Sequence, residues 1–176
     1  DWNESYTDVF GVTARSYISS ELNELIKSRA IVEEPGKSFK YYSASTQLLS
    51  MVIEEATQNK ISTLVQDWFL EPLGFENNSL WQIDGKKNNT VKAYCCFNSN
   101  ARDFARFGKL YKDKGVWNGE SLLDSTFVEN SLKARFSSSP QYGYGFWLGN
   151  FKEKKYFSMR GHLGQYVIVF PKENII

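Results

Sequence analysis

The chain has 176 residues, a formal net charge of +1 and a hydrophobic fraction of 41%, values typical of one globular domain with a buried core. The near-neutral charge gives no reason to expect nucleic acid or an anionic membrane as a partner. No apolar run approaches the roughly 20 residues of a membrane-spanning helix, so we expect no membrane span in this chain.

Five segments carry the apolar spacing or the capping residues that predict helices. They are residues 13–29, residues 46–57, a segment between Thr63 and Pro72, a segment that opens at Asn100, and residues 121–130. The second of these is predicted to be amphipathic and to turn its apolar face to the core; that face is formed by Leu48, Leu49, Val52, Ile53 and Ala56. Asn59 is predicted to end that helix, and Thr63 with Gln66 is predicted to form a capping box for the next.

The last part of the chain is predicted to form strands. Residues 142–148 alternate glycine with aromatic residues, which suits a strand that another backbone or a ligand approaches closely. Residues 157–160 and 165–170 are predicted to pair as antiparallel strands around a glycine-rich turn. Residues 75–98 have an irregular or weakly β pattern. Because helices lie in the middle and strands at the end, the predicted fold class is α+β.

The two cysteines of the chain are neighbours, Cys95 and Cys96. Adjacent cysteines bridge each other only with a strained peptide geometry, and this spacing is not that of a zinc site. We therefore expect two small, buried, unbridged side chains. With a single histidine and no clustered carboxylates, we expect no metal and no organic cofactor.

Six short motifs follow one another in an order that resembles a known family. They are Phe39-x-Tyr41-x-Ser43, Glu71 to Gly74, Asn100 to Gly108, Trp117 to Gly119, Tyr142 to Trp147, and Gly161 to Gln165. Together they resemble the β-lactamase-related serine hydrolases, in the branch that contains class C β-lactamases, D-alanyl-D-alanine peptidases, carboxylesterases and 6-aminohexanoate-dimer hydrolase. The resemblance implies a β-lactamase/transpeptidase-like fold, of which this chain would be the C-terminal portion.

The mechanism that the resemblance implies is acyl transfer. In the family, a serine attacks a carbonyl, the lysine of a Ser-x-x-Lys motif helps to activate it, and a tyrosine relays protons. No serine in this chain has a lysine three residues later, and the chain breaks off at Ile176 as if a strand were returning. We therefore expect residues 1–176 to be a fragment of a single catalytic domain that lacks the Ser-x-x-Lys portion and the final strand and helix. The missing N-terminal segment would be its partner, and this chain alone would be inactive.

The resemblance also implies roles for five residues. Tyr41, which precedes Leu48-Leu49 by the family's distance, is predicted as the general acid/base, and Ser43 as a hydrogen-bonding group for substrate. His162 stands where β-lactamases have the lysine of Lys-Thr-Gly, and it is predicted to be catalytic. Gly164 is predicted to let the strand approach substrate, and the backbone N–H of Gln165 to donate to the oxyanion.

Other residues have a structural interpretation beside the functional one. Tyr144 and Trp147 are predicted to contact the acyl group of a substrate, although aromatic residues in such a strand are more often part of the core. His162 and Tyr41 could likewise be structural. Arg102, Asp103 and Arg106 are predicted to form a structural network at the start of a helix.

Two functions are consistent with these motifs. The first is a serine hydrolase of a small ester, amide or peptide, where histidine in place of lysine argues against a dedicated β-lactamase. The second is a non-catalytic, penicillin-binding-like sensor or binding module, which predicts that no intact Ser-x-x-Lys precedes the chain. The resemblance leaves the location open and favours the bacterial periplasm or cell envelope over the cytoplasm, because relatives are often exported while some are cytoplasmic.

Overall fold

A computed structural model describes residues 2–76 and 79–176 of the chain. The chain forms two compact units, residues 1–69 with 79–98 (the first unit) and residues 70–78 with 99–176 (the second unit). Each unit has its own buried apolar cluster. No helix among the described residues is long and apolar enough to cross a membrane.

The first unit contains four α-helices and one pair of very short strands. The elements are α1 Val12–Ile18, α2 Leu22–Lys27, α3 Ser43–Thr57, α4 Ile61–Val65, β1 Leu80–Trp81 and β2 Phe97–Asn98. The two strands pair antiparallel, which confirms the weakly β pattern of residues 75–98. The apolar cluster of this unit consists of Trp2, Leu22 and Ile26, with Tyr42, Met51 and Tyr94 among the side chains packed against it.

The single helix predicted over residues 13–29 is wrong, because α1 and α2 are separate. The hydroxyl of Ser19 accepts a hydrogen bond from the Glu21 backbone N–H at 3.1 Å, which favours a turn over helix continuation. The carboxylate of Asp84 accepts a hydrogen bond from the Leu22 N–H at 3.2 Å. A distant carboxylate therefore satisfies a free donor at the start of α2, and sequence periodicity does not reveal this contact.

Helix α3 exposes the face that was predicted to be buried. Leu48, Leu49 and Val52 are 50%, 59% and 56% exposed, whereas the buried residues of the helix are Ser43, Gln47 and Ser50. The prediction of an apolar inner face is therefore wrong within the described residues. The helix starts three residues before Thr46, and it ends at Thr57, followed by Gln58 rather than Asn59 in the left-handed conformation.

The polar face of α3 is buried because Gln47 fastens it to a loop. The side-chain carbonyl of Gln47 accepts a hydrogen bond from the Ala93 N–H at 2.9 Å. Its amide group donates to the Val91 carbonyl at 3.1 Å. The Ala93 N–H also donates to the Val91 carbonyl at 3.0 Å, so Gln47 adds a second hydrogen bond to each of these backbone groups and joins α3 to them.

The capping box predicted at Thr63 and Gln66 is also wrong. Helix α4 begins at Ile61, whose N–H donates to the Glu54 carboxylate at 2.9 Å. A π-helical turn over Gln66–Leu70 follows. The predicted stop holds, since residues 71–74 form a turn in which Gly74 has φ +68.

The described residues of the second unit form two helices and five strands. They are α5 Ala101–Lys112, β3 Val116–Trp117, β4 Glu120–Ser121, α6 Ser125–Ser131, β5 Trp147–Phe151, β6 Lys154–Arg160 and β7 Tyr166–Val169. Strands β5, β6 and β7 form an antiparallel sheet in that order. The predicted pair of strands around a glycine-rich turn is confirmed, and so is the α+β class.

Helix α5 starts directly after Asn100, the capping residue from which its start was predicted. The side chain of Asn100 accepts a hydrogen bond from the Asp103 N–H at 3.0 Å. Asp103 is fully buried, and its carboxylate binds the Glu76 N–H at 3.0 Å and the Arg106 guanidinium at 2.5 Å. The predicted structural network is therefore confirmed, with Glu76 as an additional member that binds Arg102 at 2.8 Å.

The sheet packs one face against α5. Leu148, Phe157 and Val169 are aligned across the three strands, and Phe157 and Val169 belong to the buried cluster of the unit. A Cβ atom at Gly108 of α5 would lie 3.0 Å from Val167 and 3.1 Å from Val169. Glycine at this position therefore lets the helix lie close to β7.

The strand predicted over residues 142–148 lies further along the chain. The Gly143 N–H donates to the Phe146 carbonyl at 2.9 Å, and Gly145 has φ +82. These residues form a tight turn that pairs Tyr142 with Trp147. The strand β5 therefore starts at Trp147.

The prediction of unbridged cysteines is wrong. Cys95 and Cys96 are joined by a disulfide. Cys96 has φ +67, so the backbone accommodates the bridge by placing one residue in the left-handed region. The expectation failed because it treated a strained peptide as prohibitive.

Candidate active site

Tyr41 lies in an extended segment directly before α3. Its side chain is 41% exposed. The neighbouring Tyr42 packs against the apolar cluster of the first unit. Of the two tyrosines, Tyr42 is thus the one that packs against this cluster, and the role predicted for Tyr41 stays a prediction.

Glu4 organises the start of α3 and was not found from the sequence. Its carboxylate accepts hydrogen bonds from the Ser43 N–H at 2.8 Å and from the Ser43 hydroxyl at 2.6 Å. The Tyr6 hydroxyl donates to it at 2.7 Å, and the Trp2 indole at 2.8 Å. Since Tyr42 offers no side-chain cap, Glu4 satisfies a free N–H at the helix terminus and complements its dipole. No local motif signals a contact across 39 residues.

The role predicted for Ser43 stays a prediction, but its geometry is now defined. The side chain is buried, with 6% of its surface exposed. The hydroxyl proton is directed to Glu4. In this arrangement Ser43 could offer a substrate only its oxygen lone pairs.

The phenols near Glu4 are held in their neutral form. Burial raises the pKa of Tyr41, and the negative charge of Glu4 raises it further. Burial and the hydrogen bond to Glu4 also raise the pKa of Tyr6, and burial raises the pKa of Tyr94 to about 12. In this environment Tyr41 is a proton donor, and it could act as a base only if a cation were placed beside it.

The residues predicted from the glycine-rich motif lie together in the turn between β6 and β7. The Gly161 N–H donates to the Gln165 carbonyl at 2.8 Å. Leu163 and Gly164 have φ +73 and +96, and His162, Gly164 and Gln165 are exposed. A Cβ atom at Gly161 would lie 2.5 Å from the Gln165 side chain, so glycine there makes room for that side chain.

Tyr144 and Trp147 lie in different surroundings. The Trp147 ring contacts Tyr142 edge-on, with 5.0 Å between centroids, and the Arg160 guanidinium lies over it at 5.5 Å. Arg160 directly precedes the glycine-rich turn, so Trp147 lies beside the strand end that leads into this turn. Tyr144 is 44% exposed and instead packs against Phe127 and Arg135.

The predicted site residues fall into two sets. Tyr41 and Ser43 belong to the first unit, while Tyr144, Trp147, His162, Gly164 and Gln165 belong to the second. Among residues 2–76 and 79–176, no group of three or more histidine, cysteine or acidic side chains could hold a metal ion.

Comparison with known proteins gives a consistent family and fold. The family model described as Beta-lactamase matches residues 2–176. A candidate 6-aminohexanoate-dimer hydrolase from Bacillus anthracis superposes with a TM-score of 0.83 at 21% identity, over 99% of this chain and 50% of that one. No curated protein matches the chain.

Two further solved structures share the fold. A candidate beta-lactamase from Bacteroides dorei has a TM-score of 0.71 at 18% identity, over 87% of this chain and 52% of that one. A penicillin binding protein from Bacillus halodurans has a TM-score of 0.65 at 15% identity, over 95% and 56%. The chain thus spans about half the length of each of these structures.

Proposed function

The chain belongs to the Beta-lactamase family, and from this membership we propose that it is part of a serine hydrolase that forms an acyl-enzyme with a small ester or amide. The single observation that carries the proposal is the family match over residues 2–176. The motif residues Tyr41 and His162 lie at exposed positions, before a helix and in a strand-connecting turn. Reactive groups need such access to substrate.

We propose that the nucleophile lies outside this chain, in an N-terminal segment of the same protein. No serine here is followed at the third position by lysine, and the chain spans half of the Bacillus anthracis structure. The apolar face of α3, formed by Leu48, Leu49 and Val52, is exposed, as is typical of a surface that another segment covers. Residues 1–176 would then be part of one catalytic domain.

Strand edges support the same proposal. Strands β5 and β7 are the edges of the three-stranded sheet, and Tyr166 and Ile168 on β7 are 59% and 42% exposed. Exposed apolar edge strands favour aggregation unless another segment pairs with them or covers them. An additional segment of the same domain would remove this exposure.

In the proposed mechanism Tyr41 donates and accepts the proton that moves between the nucleophile and the leaving group. Burial and Glu4 raise its pKa, so its phenolate form would require a nearby cation, a role that the lysine of an N-terminal Ser-x-x-Lys would fill. His162 would act beside the reacting carbonyl, and the Gln165 N–H would donate to the developing oxyanion. Ser43 and Gly164 would contact the bound substrate.

The proposed substrates are small esters, amides or peptides. The name of the Bacillus anthracis structure points to an amide, and that of the Bacteroides dorei structure to a β-lactam. Trp147, beside the strand that enters the glycine-rich turn, would contact an apolar acyl group. Tyr144 is the second aromatic side chain proposed for this contact.

The proposal is tested by labelling the full-length protein with a fluorophosphonate probe, followed by intact mass and peptide mapping. We expect one adduct per protein, on the serine of a Ser-x-x-Lys sequence before Asp1. An adduct on a serine within residues 1–176 would contradict the proposed position of the nucleophile. No adduct on a protein shown to be folded would favour the alternative, a non-catalytic penicillin-binding-like sensor or binding module.

A further inference from the structure

The disulfide between Cys95 and Cys96 cannot be explained as a cross-link that stabilises the fold. A disulfide stabilises a fold mainly by closing a loop in the unfolded chain, and the effect grows with loop length. Bonding between adjacent residues closes the shortest possible loop, so it constrains almost nothing beyond its own dipeptide. A different role for the pair is therefore needed.

Both cysteines are only partly buried, so a small thiol could reach them. The backbone on either side is held by defined contacts. The Trp81 indole N–H lies 2.8 Å from the Cys95 carbonyl and 3.0 Å from the Lys92 carbonyl, and the Gln82 N–H donates to the Cys96 carbonyl at 3.2 Å. A change in the dipeptide would be transmitted directly to these contacts.

The residue directly before the pair, Tyr94, connects it to the region around Glu4 and α3. The Tyr94 hydroxyl donates to the Ser16 hydroxyl at 3.0 Å, and its ring meets the Tyr17 ring edge-on, with 5.5 Å between centroids. Burial raises the pKa of Tyr17, and the negative charge of Glu4, which binds the start of α3, raises it further. All of these residues belong to the first unit.

We propose that Cys95 and Cys96 form a reversible redox-modification site whose state alters the loop that positions Tyr94. A thiolate of a small dithiol attacks one sulfur and forms a mixed disulfide; the second thiol of the reductant then displaces that sulfur. Two electrons and two protons pass to the protein, which gains two thiols, and the reductant leaves as a cyclic disulfide. Reduction frees Cys96 from the left-handed conformation that the closed ring holds (φ +67).

The first test measures thiol content in the full-length protein without denaturant. We expect no maleimide adduct before reduction and two after a dithiol is added, mapped to Cys95 and Cys96. The reduced protein should bind one phenylarsine oxide per chain, since two adjacent thiols can share one arsenic, and this should block both adducts. A Cys95→Ser variant should take one maleimide without reductant and should not retain the arsenical.

Two results would overturn the site. One is maleimide labelling of both cysteines before any reductant is added. The other is a disulfide that reacts with dithiol only after the protein is unfolded. Neither depends on hydrolase activity, so failure here is distinguishable from failure of the proposed function.

The second test follows the loop by NMR of the indole N–H groups, with the Trp81 resonance assigned from a Trp81→Phe variant. We expect this resonance to shift on reduction, because its acceptor is the Cys95 carbonyl. The Cys95→Ser/Cys96→Ser double variant serves as the control and should show no shift on adding dithiol. An unchanged Trp81 resonance in the reduced native protein would contradict the coupling to the loop.

Discussion

At the residue scale, the partly buried carboxylate of Glu4 is the group that connects the start of α3 to Tyr41. Glu4 binds four donors from three residues, and it lies close enough to Tyr41 to raise the pKa of that phenol. It therefore links the start of α3 to the electrostatics of the proposed general acid/base. One side chain therefore holds the start of α3 and adds to the rise in the Tyr41 pKa that burial causes.

Replacing Glu4 by glutamine should lower the free energy of unfolding by about 1–2 kcal/mol at pH 7, because charged hydrogen bonds become neutral ones. Burial acts to raise the pKa of Glu4, but the hydrogen bonds from Ser43, Tyr6 and Trp2 hold it below its ordinary value of 4.5. The contribution of the charge is therefore present above pH 4.5 and is lost as the pH falls through the lower, folded-state value.

Urea denaturation of the full-length protein at several pH values measures both effects. Glu24→Gln is the control, since its ion pair with Lys27 is exposed and should be worth almost nothing. If Glu4→Gln were as stable as Glu24→Gln, the carboxylate would have no organising role.

Asp103 is a fully buried carboxylate. Replacing it by asparagine should lower the free energy of unfolding by about 3 kcal/mol, because Arg106 would lose its buried, charged partner. Burial acts to raise the pKa of Asp103, while hydrogen bonds from Ser99 and Glu76 and the charge of Arg106 hold it low. Its contribution is thus lost only below its ordinary value of 3.8. Thermal unfolding of the Asp103→Asn variant checks this prediction. Glu129→Gln is the control, because its ion pair with Lys114 is exposed, and an equal loss of stability in the two variants would contradict the prediction.

At the element scale, α3 shows which features of the fold the sequence could predict. Its existence, and the position of Tyr41 before it, follow from apolar spacing and motif order. The orientation of its faces does not, because Gln47 is fixed by the backbone of residues 91 and 93. Such a contact depends on the folded loop and leaves no periodic signal.

The same limit applies to the other differences. The start of α5 was predictable because Asn100 caps its own helix. The start of α4 was not, since Glu54 supplies the contact from the preceding helix. A hydrogen bond between neighbouring residues can be predicted from the sequence, whereas a hydrogen bond from a group distant in the sequence cannot.

Removing the Gln47 side chain tests the orientation of α3 directly. Gln47→Ala should lower the free energy of unfolding by about 1–2 kcal/mol, because the Val91 carbonyl and the Ala93 N–H would each lose a hydrogen bond to this buried side chain and keep only the one between them. Gln141→Ala, at an exposed position in the second unit, is the matched control. Equal urea midpoints for the two variants would show that the buried amide does not hold the helix.

At the scale of the whole molecule, the family match covers the chain while the chain covers about half of the matching structures. The proposed N-terminal segment would cover the exposed apolar face of α3. In the full-length protein, Leu49→Ala should then lower the free energy of unfolding by about 2–3 kcal/mol, as expected for a leucine that another segment buries. Glu55→Ala, on the same helix, should change stability by less than about 0.5 kcal/mol. A similarly small change for Leu49→Ala would mean that the face stays open to solvent.

We propose that Tyr41 of this chain is the proton-transferring tyrosine of a serine hydrolase. The most direct measurement compares the rates at which a fluorophosphonate probe phosphonylates the Tyr41→Phe and Tyr42→Phe variants of the full-length protein. Loss of a positioned acid/base should slow the Tyr41 variant by about 100-fold or more, while the Tyr42 variant, which alters a residue of the apolar cluster, should react at nearly the native rate. Equal rates for both variants, or a larger loss for Tyr42→Phe, would contradict the assignment.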